Sequence, residues 1–168
     1  MADYFEGQVK IDVDLAGVNN TFKQKAEKAF EKVADELEGR FTDAISSAYW
    51  DWPGQSKRGV SGSTVGEKAK SWAKAKFNTG SPRSIVDGGD LKGSLKVDLN
   101  PGSLQCEYTW TEDYAAAVHE GAYIHPWGNK SRGKIHLPAR PWTSAVINGT
   151  HGVPQYNYVN AYSKFLDA

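Results

Sequence analysis

Apolar and polar positions strictly alternate at the start of this chain. In QVKIDVDLAG, Val9, Ile11, Val13 and Leu15 fall on one side and Lys10, Asp12 and Asp14 on the other. That is the period of a half-buried strand, and Gly17 ends it. The period then changes. From about Asn20 to Ala48, Phe22, Ala26, Phe30, Val33, Leu37, Phe41, Ile45 and Ala48 recur every three or four residues. Such spacing predicts one long amphipathic helix with lysines and acids on its outer face. Asn19 or Asn20 suits its N-cap, and Gly39 costs it about 1 kcal/mol relative to alanine, a candidate kink.

Periodicity lapses between residues 50 and 89. YWDWPGQSKRGVSGSTVGEK and FNTGSPRSIVDGGD are dense in Gly, Ser and Pro, the composition of loop. Between them Val65, Ala69, Trp72, Ala73 and Phe77 share a helical face, with Lys68, Lys70, Lys74 and Lys76 around it. The expectation is a long basic arm, 50–89, with one short helix in it.

Alternation returns in LKGSLKVDLN, through Leu95, Val97 and Leu99, and in SLQCEYTW, through Leu104, Cys106, Tyr108 and Trp110. Asn100-Pro101-Gly102 is the turn between them. DYAAAVHEG predicts a short helix stopped by Gly121. A polar loop, WGNKSRGK, then leads to IHLPARPW and a helix or helical turn to about Ile147, and QYNYVNAYSKFLDA closes with another short helix. The predicted class is α+β: an antiparallel sheet packed by one long N-terminal helix, with a loop arm and short C-terminal helices.

Length and composition constrain this picture without changing it. A chain of 168 residues fits one domain, 1–168, and can bury roughly 70% of its unfolded surface. Its single cysteine, Cys106, excludes an internal disulfide and a multi-cysteine zinc site. MADYFEGQVK lacks the basic and apolar regions of a secretory leader. No apolar run approaches the roughly 20 residues of a membrane span.

Charge adds a gradient. Residues 1–50 carry six Lys/Arg against ten Asp/Glu, whereas 51–83 carry seven basic residues against Asp51 and Glu67. The front is acidic and the arm basic, in a chain whose 20 positive and 20 negative residues balance. Six tryptophans and eight tyrosines favour a protein that assembles, because aromatic residues are enriched at interfaces as well as in cores.

Candidate chemistry is sparse. His119 and His125 stand six residues apart, whereas two metal ligands on one helical face need a spacing of four. Surface or loop histidines are the plain expectation; a metal hydrolase using His119, His125 and His136 is the sharper one. Cys106 lies mid-strand, where a buried, inert thiol is expected. No serine sits in a Gly-x-Ser-x-Gly elbow. Asp87 and Asp90 lack calcium-loop register, and the glycines of KRGVSGSTVGEK lack the Gly-Lys-Ser/Thr of a phosphate loop. No cofactor is expected. The basic aromatic segment 57–83, with Trp72 among its lysines, supports a reading as a small nucleic-acid-associated protein.

LPARPW is the most constrained stretch. Each proline fixes its own φ and disfavours helix in the residue before it, Leu137 and Arg140. The chain should arrive extended, turn rigidly, and start a helix with Pro141 in its first turn. Arg140, held between fixed neighbours, is a pre-oriented guanidinium. The plain reading is a helix start; the further expectation is a contact between subunits at Arg140 and Trp142.

Three segments, IVDGGDLKGSL, YAAAVHEGA and LPARPW, taken in this order, resemble the tail-completion or neck proteins of long-tailed bacteriophages. That family typically shows Asp-Ser/Thr-Gly-x-Leu-x-x-Ser, then Tyr-Ala-x-x-Val-x-x-Gly-Thr, then Pro-Ala-Arg-Pro-Phe. Here the matches are Asp87, Gly89, Leu91 and Ser94, then Tyr114, Ala115, Val118 and Gly121, then Pro138, Ala139, Arg140 and Pro141. Gly88, Ala122 and Trp142 depart from the pattern. The resemblance spans about residues 84–147. It implies a virion structural protein, not an enzyme. The implied assembly is a ring, six-fold or twelve-fold, at the head-tail junction. Its partners would be copies of itself, the tail tube and the head-closure or connector proteins, with DNA passing close by and no membrane. Synthesis would be in the host cytoplasm. Lys70, Lys74, Lys76 and Trp72 of the arm are the further candidate contacts, toward a neighbouring subunit or the lumen.

Overall fold

A computed structural model describes residues 20–51, 64, 66–68, 70, 82, 84–86, 89–125, 130, 131 and 133–168. The expected strand at Val9–Leu15 lies outside them, as does most of the arm. The described chain is α+β, with one long helix, two small antiparallel sheets and short C-terminal helices.

Helix α1 spans Asn20–Ser46 and runs unbroken through Gly39. Its buried stripe is Ala26, Ala29, Phe30, Val33, Ala34, Leu37, Phe41, Ala44 and Ile45, the three-and-four spacing that the sequence predicts. The stripe is shorter than expected at both ends. Phe22 is 45% exposed, and Ala48 lies beyond the last turn, exposed. Alanines recur where other elements come closest. With no long side chain to shield the backbone, Ala34 O accepts the Tyr108 hydroxyl at 2.8 Å, Ala44 O the Trp50 indole N–H at 2.7 Å, and Ala26 O the Tyr162 hydroxyl at 3.5 Å.

A single helical turn, α2 (Asp90–Gly93), inserts Leu91 into the core. Strands β1 (Leu95–Asn100) and β2 (Gln105–Trp110) then pair antiparallel, from Leu95↔Trp110 to Asn100↔Gln105. The turn at Asn100-Pro101-Gly102 is a single 3-10 turn, Pro101–Ser103, with the Asn100 side chain accepting from the Ser103 N–H at 3.3 Å. Leu104 leaves it at φ 50 and is fully buried. It is the end of the turn rather than a strand residue, yet it reaches the core as the alternation predicts. Cys106, Tyr108 and Trp110 face α1, and Phe41 meets the Tyr108 and Trp110 rings edge-on at 5.2 and 5.8 Å. On β1, Val97 stays 36% exposed, although it faces the buried Tyr108 across the ladder.

The rest of the described chain supplies α3 (Ala115–Glu120), β3 (Ala122–Ile124), β4 (Ile135–Leu137), α4 (Trp142–Asn148) and α5 (Tyr158–Asp167). β3 and β4 form the second sheet. Tyr162 and Phe165 of α5 pack on the core beside α1, and Tyr158 is exposed. Before α5, the Tyr156 hydroxyl donates to Glu36 at 2.9 Å. Among the described residues, no helix is long and apolar enough to cross a membrane.

Candidate functional site

The proline corner begins where β4 ends. After Leu137, Pro138 and Ala139 carry the chain back over the end of α3. There the Arg140 N–H donates to both Val118 O, at 3.1 Å, and His119 O, at 3.0 Å. The last carbonyls of a helix lack intrahelical partners, so this one N–H satisfies two of them. Pro141 follows with φ −78 and ψ 69, an inverse γ-turn closed by the Trp142 N–H on Arg140 O at 2.8 Å. Proline suits this position because its ring already sets φ near that value and it has no N–H to leave unpaired. Helix α4 starts one residue later than predicted, with Pro141 as its N-cap rather than in its first turn.

Gly121 makes the fit possible. Its φ is 80, and a Cβ there would sit 2.8 Å from Ala139 N and 2.9 Å from Leu137 O. The segments YAAAVHEGA and LPARPW thus meet backbone to backbone. The third segment joins them in the core. Gly89, at φ 97, opens α2, and Leu91, Ala115 and Trp142 belong to one buried cluster. Tyr114 remains 42% exposed, and Pro138 is half-buried.

Arg140 and Trp142 require a correction. Expected at a subunit contact, they are 1% and 0% exposed within their own chain, so in this conformation neither side chain can reach a neighbour. Arg140 Nη2 donates to the Asp51 carbonyl at 3.2 Å, which ties the corner to the chain just after α1. Trp142 packs edge-on against Trp110 at 5.4 Å and His119 at 4.6 Å. The prolines reveal a rigid corner, but they do not fix the direction in which it points its guanidinium.

His119 is also corrected, from a surface histidine to a buried one, 8% exposed. Its Nε2 lies 2.8 Å from Thr143 Oγ1. Desolvation holds its pKa below the ordinary 6.5, opposed by the Glu120 carboxylate. As pH falls, the unfolded chain therefore takes up the proton before the folded one does. The stability from neutral His119 is complete above about 6.5 and is lost below it, by up to about 1.4 kcal/mol per pH unit. Urea midpoints measured from neutral to mildly acidic pH are expected to fall, and His119→Gln should flatten that slope. An unchanged slope in the variant would exclude His119 as its source. His125 and His136 do not join His119. His136 is exposed and lies 4.9 Å from the Tyr123 ring, and no group of three or more metal-ligating side chains converges among the described residues.

Cys106 is buried as expected, and desolvation raises its thiol pKa, with the neighbouring Tyr108 side chain opposing. In the arm, Thr64 and Glu67 form a reciprocal capping box. Thr64 N–H donates to Glu67 Oε2 at 3.1 Å, and Glu67 N–H to Thr64 Oγ1 at 3.2 Å. Gly66, Glu67, Lys68 and Lys70 are helical, and Lys70 is exposed. Trp72, Lys74, Lys76 and Asp87 lie outside the described residues.

The β3–β4 hairpin is the feature that sequence reading missed. Tyr123 pairs with His136 and Ile124 with Ile135, and no residue of either strand is buried. Strands of three residues are too short for alternation to register, and WGNKSRGK reads only as polar loop. Tyr123 is 71% exposed and Ile135 44%, and Lys130 and Lys134 are exposed as well. No protein-family model, curated protein or solved structure matches the chain.

Proposed function

We propose that this chain is a virion structural protein. It forms a ring at the head-tail junction of a tailed phage, where it completes the tail and joins it to the head. One observation carries the reading. The three segments that resemble tail-completion and neck proteins, far apart in sequence, bring Leu91, Ala115 and Trp142 into one buried cluster. Two of them also interlock at Gly121 and Ala139. A shared core of this kind is what three matched segments of one family would build. In this reading the chain works as a building block rather than a catalyst, and the arm with Lys70, Lys74, Lys76 and Trp72 meets a neighbouring subunit or the DNA in the lumen.

The test is the copy number of this protein in purified phage particles, measured by quantitative mass spectrometry against the portal protein. The expected result is a ratio that corresponds to one ring per virion. Absence from the particles would overturn the structural role. It would leave the basic aromatic segment 57–83 to be tested for salt-dependent DNA binding, which phosphate contacts require.

A further inference from the structure

The register of the β3–β4 ribbon sorts its side chains into two faces. Ala122, Ile124, Ile135 and Leu137 share one. Tyr123 and His136 share the other, directly opposite each other and with their rings 4.9 Å apart. Of the four apolar residues, Ala122, Ile124 and Leu137 are half-buried. Tyr123, by contrast, is the most exposed large apolar side chain among the described residues, and His136 is exposed with it. The Tyr123–His136 face is therefore the outward one. Carrying the antiparallel pairing one step further sets His125 opposite Lys134 on that same face, the first half-buried and the second exposed.

The chemistry of this face is one-sided. A phenol hydroxyl, imidazoles and an ammonium all present O–H or N–H donors. No carboxylate occurs among the described residues of 121–137, and the nearest along the chain is Glu120. Such a set suits a ligand that offers acceptors and negative charge in a row. The four positions span about 5 Å across the strands and about 7 Å along them. A two-stranded ribbon of that size enters the major groove of duplex DNA, which is about 12 Å wide.

We infer that the Tyr123–Lys134–His136 face is a contact for duplex DNA. Lys134 and His136 donate to phosphate oxygens, and the Tyr123 ring and hydroxyl lie against the sugar-phosphate wall of the groove. Contacts of this kind fix position without reading sequence. The inference rests on the ring reading for its occupant, since DNA then passes through the lumen. It deepens that reading by naming a surface that meets the DNA, separate from the basic arm.

Fluorescence anisotropy of a short labelled duplex of mixed sequence, titrated with the full chain across a salt series, tests this. Lys134→Ala should weaken binding about tenfold at low salt. It should also lower the slope of log affinity against log salt by about one, the signature of one lost phosphate contact. Tyr123→Ala should weaken binding about fivefold with the slope unchanged, because a neutral hydrogen bond is lost and no charge. Lys96→Ala removes an exposed charge from β1, in the other sheet, and should change neither quantity. All three sites are exposed, so circular dichroism should show each variant folded. A chain that binds no duplex at low salt, or Tyr123 and Lys134 variants that bind as tightly as the unmodified chain, overturns the inference. Particle copy number then decides the ring reading by itself. Equal losses at Lys134 and Lys96 would reduce the effect to net charge and overturn it too. So would a preference for single-stranded oligonucleotide that Tyr123→Ala abolishes, or a loss of self-association with DNA binding intact, since the face would then belong to another partner. Absence from particles with both expected losses observed would remove the ring and leave the DNA contact standing.

Discussion

Trp142→Ala is expected to lower the free energy of unfolding by about 3–5 kcal/mol. The side chain is fully buried and meets Trp110 and His119 edge-on. Its removal leaves a void flanked by two aromatic groups that cannot collapse into it without moving β2 or α3. Against a typical total of about 5–15 kcal/mol, such a loss removes a large share of the stability. Trp142→Phe should lose much less. It keeps an aromatic ring in the slot, and it removes a buried indole Nε1 that has no hydrogen-bond partner among the described residues. An unsatisfied buried donor costs about 1–3 kcal/mol, so deleting it offsets part of the lost packing. Phenylalanine is also the residue usual at this position in the family that the segment resembles. Urea unfolding of the three proteins, with comparable m-values, measures both effects. A loss under about 1 kcal/mol for alanine would contradict the packing described for this site.

The second large effect is expected at Gly121. An alanine Cβ would lie 2.8 Å from Ala139 N and 3.2 Å from Ala139 Cα, and this backbone cannot swing aside as a side chain would. The φ of 80 adds its own strain. Together these should cost about 2–4 kcal/mol. The same displacement would pull the Arg140 N–H off the α3 carbonyls, so the amide protons of α3 and of the corner should lose protection together. Gly39→Ala is the matched control. It lies in α1 with nothing within 4 Å of the added Cβ, and alanine there should stabilise the helix by about 0.5–1 kcal/mol. Equal effects at the two glycines would show that the Gly121–Ala139 approach is not tight.

Legibility in the sequence followed element length. Helix α1 repeats its apolar spacing over 27 residues, so periodicity found it, and errors are confined to its ends at Phe22 and Ala48. β1 and β2 showed through alternation and a proline-glycine turn. Only the exposure of Val97 escaped, because one strand's alternation marks a face without showing how far along it the helix packs. β3 and β4 have three residues each, less than two periods of alternation, and stayed hidden in a polar stretch. At the corner, local chemistry gave the rigid turn, since proline geometry is intrinsic to the residue. The burial of Arg140 and His119 depends on which elements close over them. Those contacts join residues as distant as Arg140 and Asp51, and no local pattern encodes them.

The alanine carbonyls of α1 have a consequence for uniqueness. A helix with an evenly repeating apolar stripe can slide by one turn, about 5.4 Å, and still place apolar residues against the same neighbours. Packing alone discriminates poorly between such registers. Donors from Tyr162, Tyr108 and Trp50 engage the helix backbone at Ala26, Ala34 and Ala44, marks about 12 and 15 Å apart along the axis. A slip of four residues would put Phe22 or Phe30 in place of Ala26 and Phe30 or Glu38 in place of Ala34, and so strand the two tyrosine donors. Ala26 and Ala34 work as notches on a ruler: they add little to the burial of α1, yet they single out one alignment from several of nearly equal greasiness.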